Sequence, residues 1–136
     1  MRANRSIPDS PVMPVLGYGD VLQASAWLGR AFGFRERLRI GTHRVQLLAS
    51  GGAVVVTDAS PPADTPTFSV MLRVTGIDAH CDRARVAGAT ILQPPTTYPY
   101  GERQYSAADY AGYVWTFTES VMDVDPADWG GELMVR

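Results

Sequence analysis

The sequence predicts an α+β fold: tandem βαβββ repeats forming one curved eight-stranded mixed sheet, with the helices on its convex face. Three observations predict it. The chain has 136 residues, the length of one domain. The order strand, helix, three strands can be read twice along it. Landmark residues also recur at a fixed offset: Asp20 and Gly76, at the helix starts, lie 56 residues apart, and Gly33 and Gly88, at the helix ends, lie 55 apart. One βαβββ unit leaves a half-covered sheet that cannot close on itself, so two units side by side bury a shared core. An ordinary α+β sandwich with an accidental repeat is the competing reading.

Each element has its own local reason. Residues 13–18 (MPVLGY) are a short apolar run and read as the first strand. Asp20 then stands where a helix N-cap belongs, able to accept bonds from free backbone amides. Ala24, Trp27, Leu28 and Ala31 recur at three- and four-residue spacing, which makes one apolar helical face. Gly33 ends that helix. Residues 35–40, 43–49 and 53–58 follow as three strands separated by Gly-Thr and Gly-Gly turns. The connector Ser60–Pro66 holds adjacent prolines, which a sheet interior excludes. The order then restarts with a strand at 67–74. A helix follows, with Ile77, Cys81 and Ala84 on its apolar face and Gly88 at its end. Strands at 89–95, 102–108 and 113–119 complete the second half. The organisation is thus an N-terminal arm (1–12), a single domain (13–120) of modules 13–58 and 67–119, and a C-terminal tail (121–136). The arm, with few apolar residues, reads as loose.

Composition removes several function classes. At 46% hydrophobic and 19% charged the chain can bury a core and does not read as disordered. A net charge of −2 gives no electrostatic reason to bind nucleic acid, which needs clustered Lys and Arg. No apolar run approaches the ~20 residues that cross a bilayer, and the N-terminus lacks the apolar core of a secretory signal. One cysteine, Cys81, permits no intrachain disulfide framework; it falls on an apolar helix face and reads as a small core residue. Cytoplasmic residence is the expectation. No phosphate-binding glycine loop, zinc motif or Ser-His-Asp order is present, and Gly17-Tyr18-Gly19 is too short for a dinucleotide fingerprint.

The runs SVMLRVTGIDAHCDRARVAGATILQPP and YGERQYSAADYAGYVWTF, with PVLGYGDVLQASAWLGRAFGF and HRVQLLASGGAVVVTDA before them, resemble the vicinal oxygen chelate superfamily, the glyoxalase/bleomycin-resistance/dioxygenase group. The resemblance covers nearly the whole chain except its ends. One departure is minor: the family's Asp-Pro-x-Gly turn is here Asp109-Tyr110-Ala111-Gly112. The resemblance implies the paired-βαβββ fold and a pocket. It does not fix an activity, because the superfamily spans lyases, epimerases, ring-cleaving dioxygenases, thiol transferases and metal-free drug-binding proteins.

The resemblance also locates the family's metal positions. Seven residues before each helix opening they fall on Met13 and Ser69. Seven after the turn aspartate the position is Thr116, with Val55 as its first-half equivalent. A divalent ion wants nitrogen or oxygen lone pairs at ~2.0–2.2 Å. Valine has none, methionine offers a soft sulfur, and neutral hydroxyls are weak ligands. A one-residue slip brings Val12, Pro14, Val54, Val56, Phe68, Val70, Trp115 and Phe117, which chelate no better. No metal and no cofactor is therefore expected.

The remaining candidates each carry two readings. His43, with an unperturbed pKa near ~6.5, is a catalytic group or a strand-edge histidine bonded to backbone. His80 faces away from its helix's apolar stripe and reads as exposed. Arg103 clamps a ligand carboxylate or carbonyl, or pairs with Glu102 or Asp109. Tyr98, Tyr100, Tyr105, Tyr110 and Tyr113 crowd into 16 residues, as a stacking surface, an interface, or ordinary rim packing. Trp115 neighbours Thr116, so strand alternation turns it towards the helices. Trp129 and its two following glycines form a flap or a solvated end.

The leading reading is a metal-free binding protein, like the bleomycin-resistance branch, which sequesters a drug unaltered. Its cleft would be lined by Met13, Val15, Val55, Ser69, Met71 and Thr116. Tyr98, Tyr100, Arg103 and Tyr105 would stand at the mouth, with His43 as an added ligand-binding candidate. The expected ligand is a flat aromatic or natural-product-like molecule, held by apolar burial and stacking. In the branch it resembles, two subunits build the pocket together, so a homodimer is expected. The alternatives are a metal-dependent or acid–base enzyme of the same superfamily, using His43 or Glu119, and a scaffold domain with no ligand.

Overall fold

A computed structural model describes residues 4–61 and 69–134. Its first helix begins where the sequence places it. The Asp20 carboxylate accepts the Gln23 amide at 3.0 Å, and α1 runs Val21–Phe32 to Gly33, whose φ of 79° a residue with a Cβ rarely adopts. Around it lie β1 (Val15–Tyr18), β2 (Arg35–Ile40), β3 (Arg44–Ala49) and β4 (Gly52–Asp58). The second half has β5 (Val70–Arg73), α2 (Ile77–Val86), β6 (Thr90–Thr97), β7 (Glu102–Ala108) and β8 (Val114–Ser120). A 3-10 turn, Pro126–Trp129, follows in the tail. The predicted connector from residue 62 onward, and residues 67 and 68 of the predicted fifth strand, lie outside the described residues.

The βαβββ order is present twice, as the offsets require. The strands are hydrogen-bonded as two four-stranded mixed sheets, β1-β4-β3-β2 and β5-β8-β7-β6, so the eight do not join into one ladder within the chain. β1 and β5 each end a sheet, paired in parallel on one side to β4 and β8. The helices occupy one face of each sheet, α1 against β2–β4 and α2 against β6–β8, and pack against each other.

One core spans both halves. Phe32, at the end of α1, places its ring 4.9 Å from Phe117 and 5.7 Å from Trp115 of β8. Trp27 donates to the Ala87 carbonyl at the end of α2. Buried large rings of this kind contribute roughly 1.5–3 kcal/mol each, so these contacts bind the modules into one unit. Asp109, buried in the β7–β8 turn, accepts Tyr18 Oη at 2.6 Å and Trp115 Nε1 at 3.1 Å. Burial, followed by the Asp109 charge, pushes the Tyr18 hydroxyl far above its ordinary range.

Three expectations are corrected. His80 is half-buried rather than exposed: Nε2 meets the Phe32 carbonyl at 3.0 Å and Nδ1 meets Tyr105 Oη. His80 lies three residues after Ile77 and four before Ala84, so it flanks the apolar stripe and its ring packs on Tyr105 and Phe117 of its own sheet. His43 is an exposed turn residue before β3 rather than its first residue. The strand predicted to stop at Pro95 continues to Thr97; β6 is an edge strand whose register shifts between Gln93 and Thr96, so the two prolines break no central ladder. No helix among the described residues is long and apolar enough to cross a membrane.

Candidate ligand-binding site

Along β7 the polar Glu102, Gln104 and Ser106 alternate with the fully buried Tyr105 and Ala107. A strand turns successive side chains to opposite faces, so the polar set looks away from α2. Strand register carries this face across the sheet: Ser106 opposes Thr116, which opposes Met71, and Gln104 opposes Thr118, which opposes Arg73. Met71 is 58% exposed, Gln104, Ser106 and Thr116 are half-buried and Thr118 is buried, so this face of the second sheet is open along its β5 side.

The polar groups on it form a directed chain. Tyr100 Oη donates to Gln104 Oε1 at 3.0 Å, and Gln104 Nε2 donates to Thr118 Oγ1 at 3.1 Å. Thr118 Oγ1 then donates to Glu102 Oε1 at 2.7 Å. Arg73 Nη1 donates to Ser120 Oγ and lies 3.8 Å from Glu102 Oε1. Hydrogen bonds from Ser120 first and Thr118 next, with the Arg73 charge, hold the Glu102 carboxyl below its ordinary range. Ser106 and Thr116 share a 2.8 Å hydroxyl–hydroxyl bond.

An aromatic rim borders this face. Tyr98 and Tyr100 stack at 5.3 Å with 2° between their planes, and Trp129 packs on Tyr100 at 5.3 Å and 53°. Gly101 makes this possible. Its φ is 85°, and a Cβ there would stand 2.2 Å from the Met122 carbonyl oxygen. That carbonyl belongs to the tail, whose Val121 amide donates to the Gly101 carbonyl at 2.9 Å. The tail therefore returns to the turn and brings Trp129, 48% exposed, onto the tyrosines.

The matching face of the first sheet is covered at its centre. Gln46 is buried there. Its Nε2 donates to the Ser6 carbonyl at 2.9 Å, and its Oε1 accepts Arg37 Nη1 at 2.7 Å. Arg37 Nη2 reaches the Arg5 carbonyl at 3.1 Å. The N-terminal arm, read from sequence as loose, is thus fastened over its own module, and Val55 and Ala53 are buried in this face. The signal missed was Gln46, a polar residue set among Val45, Leu47 and Leu48 that needed a partner.

Residues 11–117 match the family model of the Glyoxalase/Bleomycin resistance protein/Dioxygenase superfamily. The chain belongs to this superfamily. Among solved structures it is similar to TioX from Micromonospora sp. ML1, at 36% identity and a TM-score of 0.70 over 82% of this chain and 98% of that one. It shares its fold with a glyoxalase-related enzyme from Fulvimarina pelagi, at 22% identity and a TM-score of 0.66 over 82% and 88%. It also shares the fold of the fosfomycin resistance protein FosX from Listeria monocytogenes, complexed with Mn(II) and sulfate, at 13% identity and a TM-score of 0.69 over 85% and 94%. No curated protein matches the chain.

Within this superfamily fold, the four positions Met13, Val55, Ser69 and Thr116 do not fit a divalent ion. Val55 has no donor, and the Thr116 hydroxyl is engaged with Ser106. Among the described residues no three His, Cys, Asp or Glu side chains group in a way that could hold a metal.

The other sequence candidates separate by face. Thr116 and Met71 lie on the open face with Ser69 at its end, and Tyr98 and Tyr100 stand at its rim. Val15 and Val55 are paired on the first sheet, away from these. Tyr105 is fully buried on the helix side, where it meets His80. Arg103 shares its parity: its guanidinium binds Asp78 of α2 at 2.8 Å and Thr97 at 3.1 Å. Glu119 accepts the Gly76 and Ile77 amides at 2.9 and 3.0 Å, so it caps α2. His43 remains in its turn. Sequence reasoning missed Arg73, Glu102, Gln104 and Thr118, although the alternation in ERQYSAA marked the polar face. A groove of about 480 Å³ on the opposite, helical side is lined by Arg30, Asp82, Arg83, Val86 and Ala87; its Arg83 is committed to the carbonyls that end α1.

Proposed function

We propose that the chain is a metal-free binding protein that holds a flat organic molecule against the open face of its second sheet. The supporting observation is the juxtaposition on that face. A hydrogen-bonding surface of hydroxyl, amide and carboxylate groups meets the stacked Tyr98, Tyr100 and Trp129 and the exposed Met71. Flat ligands are held in this way, by apolar and aromatic walls with a few placed polar groups. The side chains at the superfamily's metal positions favour binding over metal-assisted chemistry. β1 and β5 are edge strands whose outward groups are partly engaged, Gly17 N and O by the Tyr113 hydroxyl and the Arg73 carbonyl by Ser50 Oγ; a second copy laying its β1 beside this β5 would close the open face into a cleft. Sequestration of an antibiotic is the narrower form of this reading, in keeping with the bleomycin-resistance part of the family's description.

A thermal-shift panel of planar bicyclic and tricyclic aromatics tests it. A ligand that binds only the native state stabilises it by about 2.7 kcal/mol at one hundred times Kd. The expected result is a shift that survives exhaustive chelation and weakens in Tyr100→Ala by about five- to tenfold in Kd, the worth of one aromatic contact. A response abolished by the chelator, or no response across the panel, overturns the proposal.

A further inference from the structure

This inference rests on the proposed function and concerns what the open face selects. Two opposite charges sit side by side on it, Arg73 on β5 and Glu102 on β7, 3.8 Å apart at Nη1 and Oε1. The Arg73 side chain is 68% exposed and that of Glu102 20%. Their local charge cancels, but their hydrogen-bonding capacity does not. A guanidinium has five N–H donors. Arg73 spends Nη1 on Ser120, and its Nη2 and Nε have no partner among the described residues. A carboxylate has about four acceptor positions. Glu102 receives the Thr118 hydroxyl on Oε1, which leaves acceptor capacity beside the free donors.

The chain from Tyr100 through Gln104 and Thr118 reinforces this polarity. Every donor in it points towards Glu102, so the carboxylate is the acceptor end of the row. Arg73, Thr118 and Gln104 are register partners on three adjacent strands. Two strand spacings separate the outer pair, about 10 Å. A bicyclic aromatic carrying one polar group has that reach, from the tyrosine rim to Arg73.

We propose that Arg73 and Glu102 act as an adjacent donor–acceptor pair selecting uncharged planar molecules that carry a carbonyl next to an N–H or O–H. An aromatic amide is the simplest case. The carbonyl takes the free guanidinium N–H groups and the amide N–H takes the carboxylate. An aromatic carboxylate meets the guanidinium but is repelled by Glu102. An aromatic ammonium meets the carboxylate but is repelled by Arg73.

Calorimetric titration of the full chain with 2-naphthamide, 2-naphthoate and 2-naphthylmethylammonium separates these cases. The amide is expected to bind about tenfold tighter than either ion, in line with a lost charged hydrogen bond. Glu102→Gln, which keeps shape and hydrogen bonding, is expected to raise naphthoate affinity by a similar factor. Arg73→Gln should do the same for the ammonium. Urea midpoints within error of the parent show that each variant is folded. Equal binding of all three, a lead for either ion, or an unchanged ranking in the variants overturns the donor–acceptor pair and leaves the proposed function standing. No binding by any of the three overturns both.

Discussion

His80 joins the two halves of the molecule through Nε2, while Nδ1 is held by Tyr105 of its own half. A carbonyl can only accept, so Nε2 carries the proton towards Phe32 O and Nδ1 accepts from Tyr105. Burial, aided by the Arg83 charge, lowers its pKa against the opposing pull of the Phe32 carbonyl. Because the unfolded chain binds the proton more readily than the folded one, stability rises with pH across this titration. The contribution is complete above about 6.5, the ordinary histidine value, and shrinks as pH falls from there towards the lowered folded value. Urea midpoints should therefore drop between pH 7.5 and 5.5, and His80→Gln should flatten that drop. A slope unchanged in the variant would place the effect elsewhere. The shifted carboxylates Glu36, Asp78, Glu102 and Glu119 are all lowered from values of 4.5 or 3.8, so their losses begin below this window. The donor types at Met13, Val55, Ser69 and Thr116 follow from residue identity alone. The role of His80 does not, because it depends on partners distant in sequence, the Phe32 carbonyl of the other half and Tyr105 of its own sheet.

The two helices show how far an element can be read locally. α1 carries its own start, stripe and stop in Asp20, its apolar positions and Gly33. α2 opens on Gly76, with no capping side chain of its own. Its cap is Glu119, more than forty residues away, and the bonds to Ile77 and then Gly76 hold that carboxyl below its usual range. Sequence reading found the element but assigned Glu119 to possible acid–base work. Strand alternation worked for Trp115 and Thr116, whose opposite facings were foreseen. It was not applied to Arg103 and Tyr105, placed from sequence at the mouth of the cleft; they share a face with each other but lie on the helix side of their sheet. At the Tyr98–Gly101 turn, Gly101→Ala would meet both a left-handed backbone and the Met122 carbonyl. A cost of roughly 1–3 kcal/mol is expected, together with release of Trp129 from Tyr100, visible as a red-shifted tryptophan emission. An unshifted spectrum would mean the tail docks without that turn.

For the whole molecule, the repeat offsets conveyed the doubling and the element order, but not how the two sheets meet. The edge strands β1 and β5 have an equivalent apolar residue on each, Val15 at 52% and Met71 at 58% exposure. Exposed apolar positions on edge strands invite a partner, and a two-fold pair of copies covers both at once. We expect light scattering to give twice the chain mass, and Val15→Lys with Met71→Lys to give a single chain with its fold intact. A monomer before mutation would leave the cleft to be built by one chain alone.

The strap that Arg37 and Gln46 hold across the first sheet makes the two repeats unequal. Their backbones follow one plan, yet the centre of one outer face lies beneath the chain's own beginning. On the proposed reading, a chimera carrying the latter half twice would offer two landing grounds in place of one.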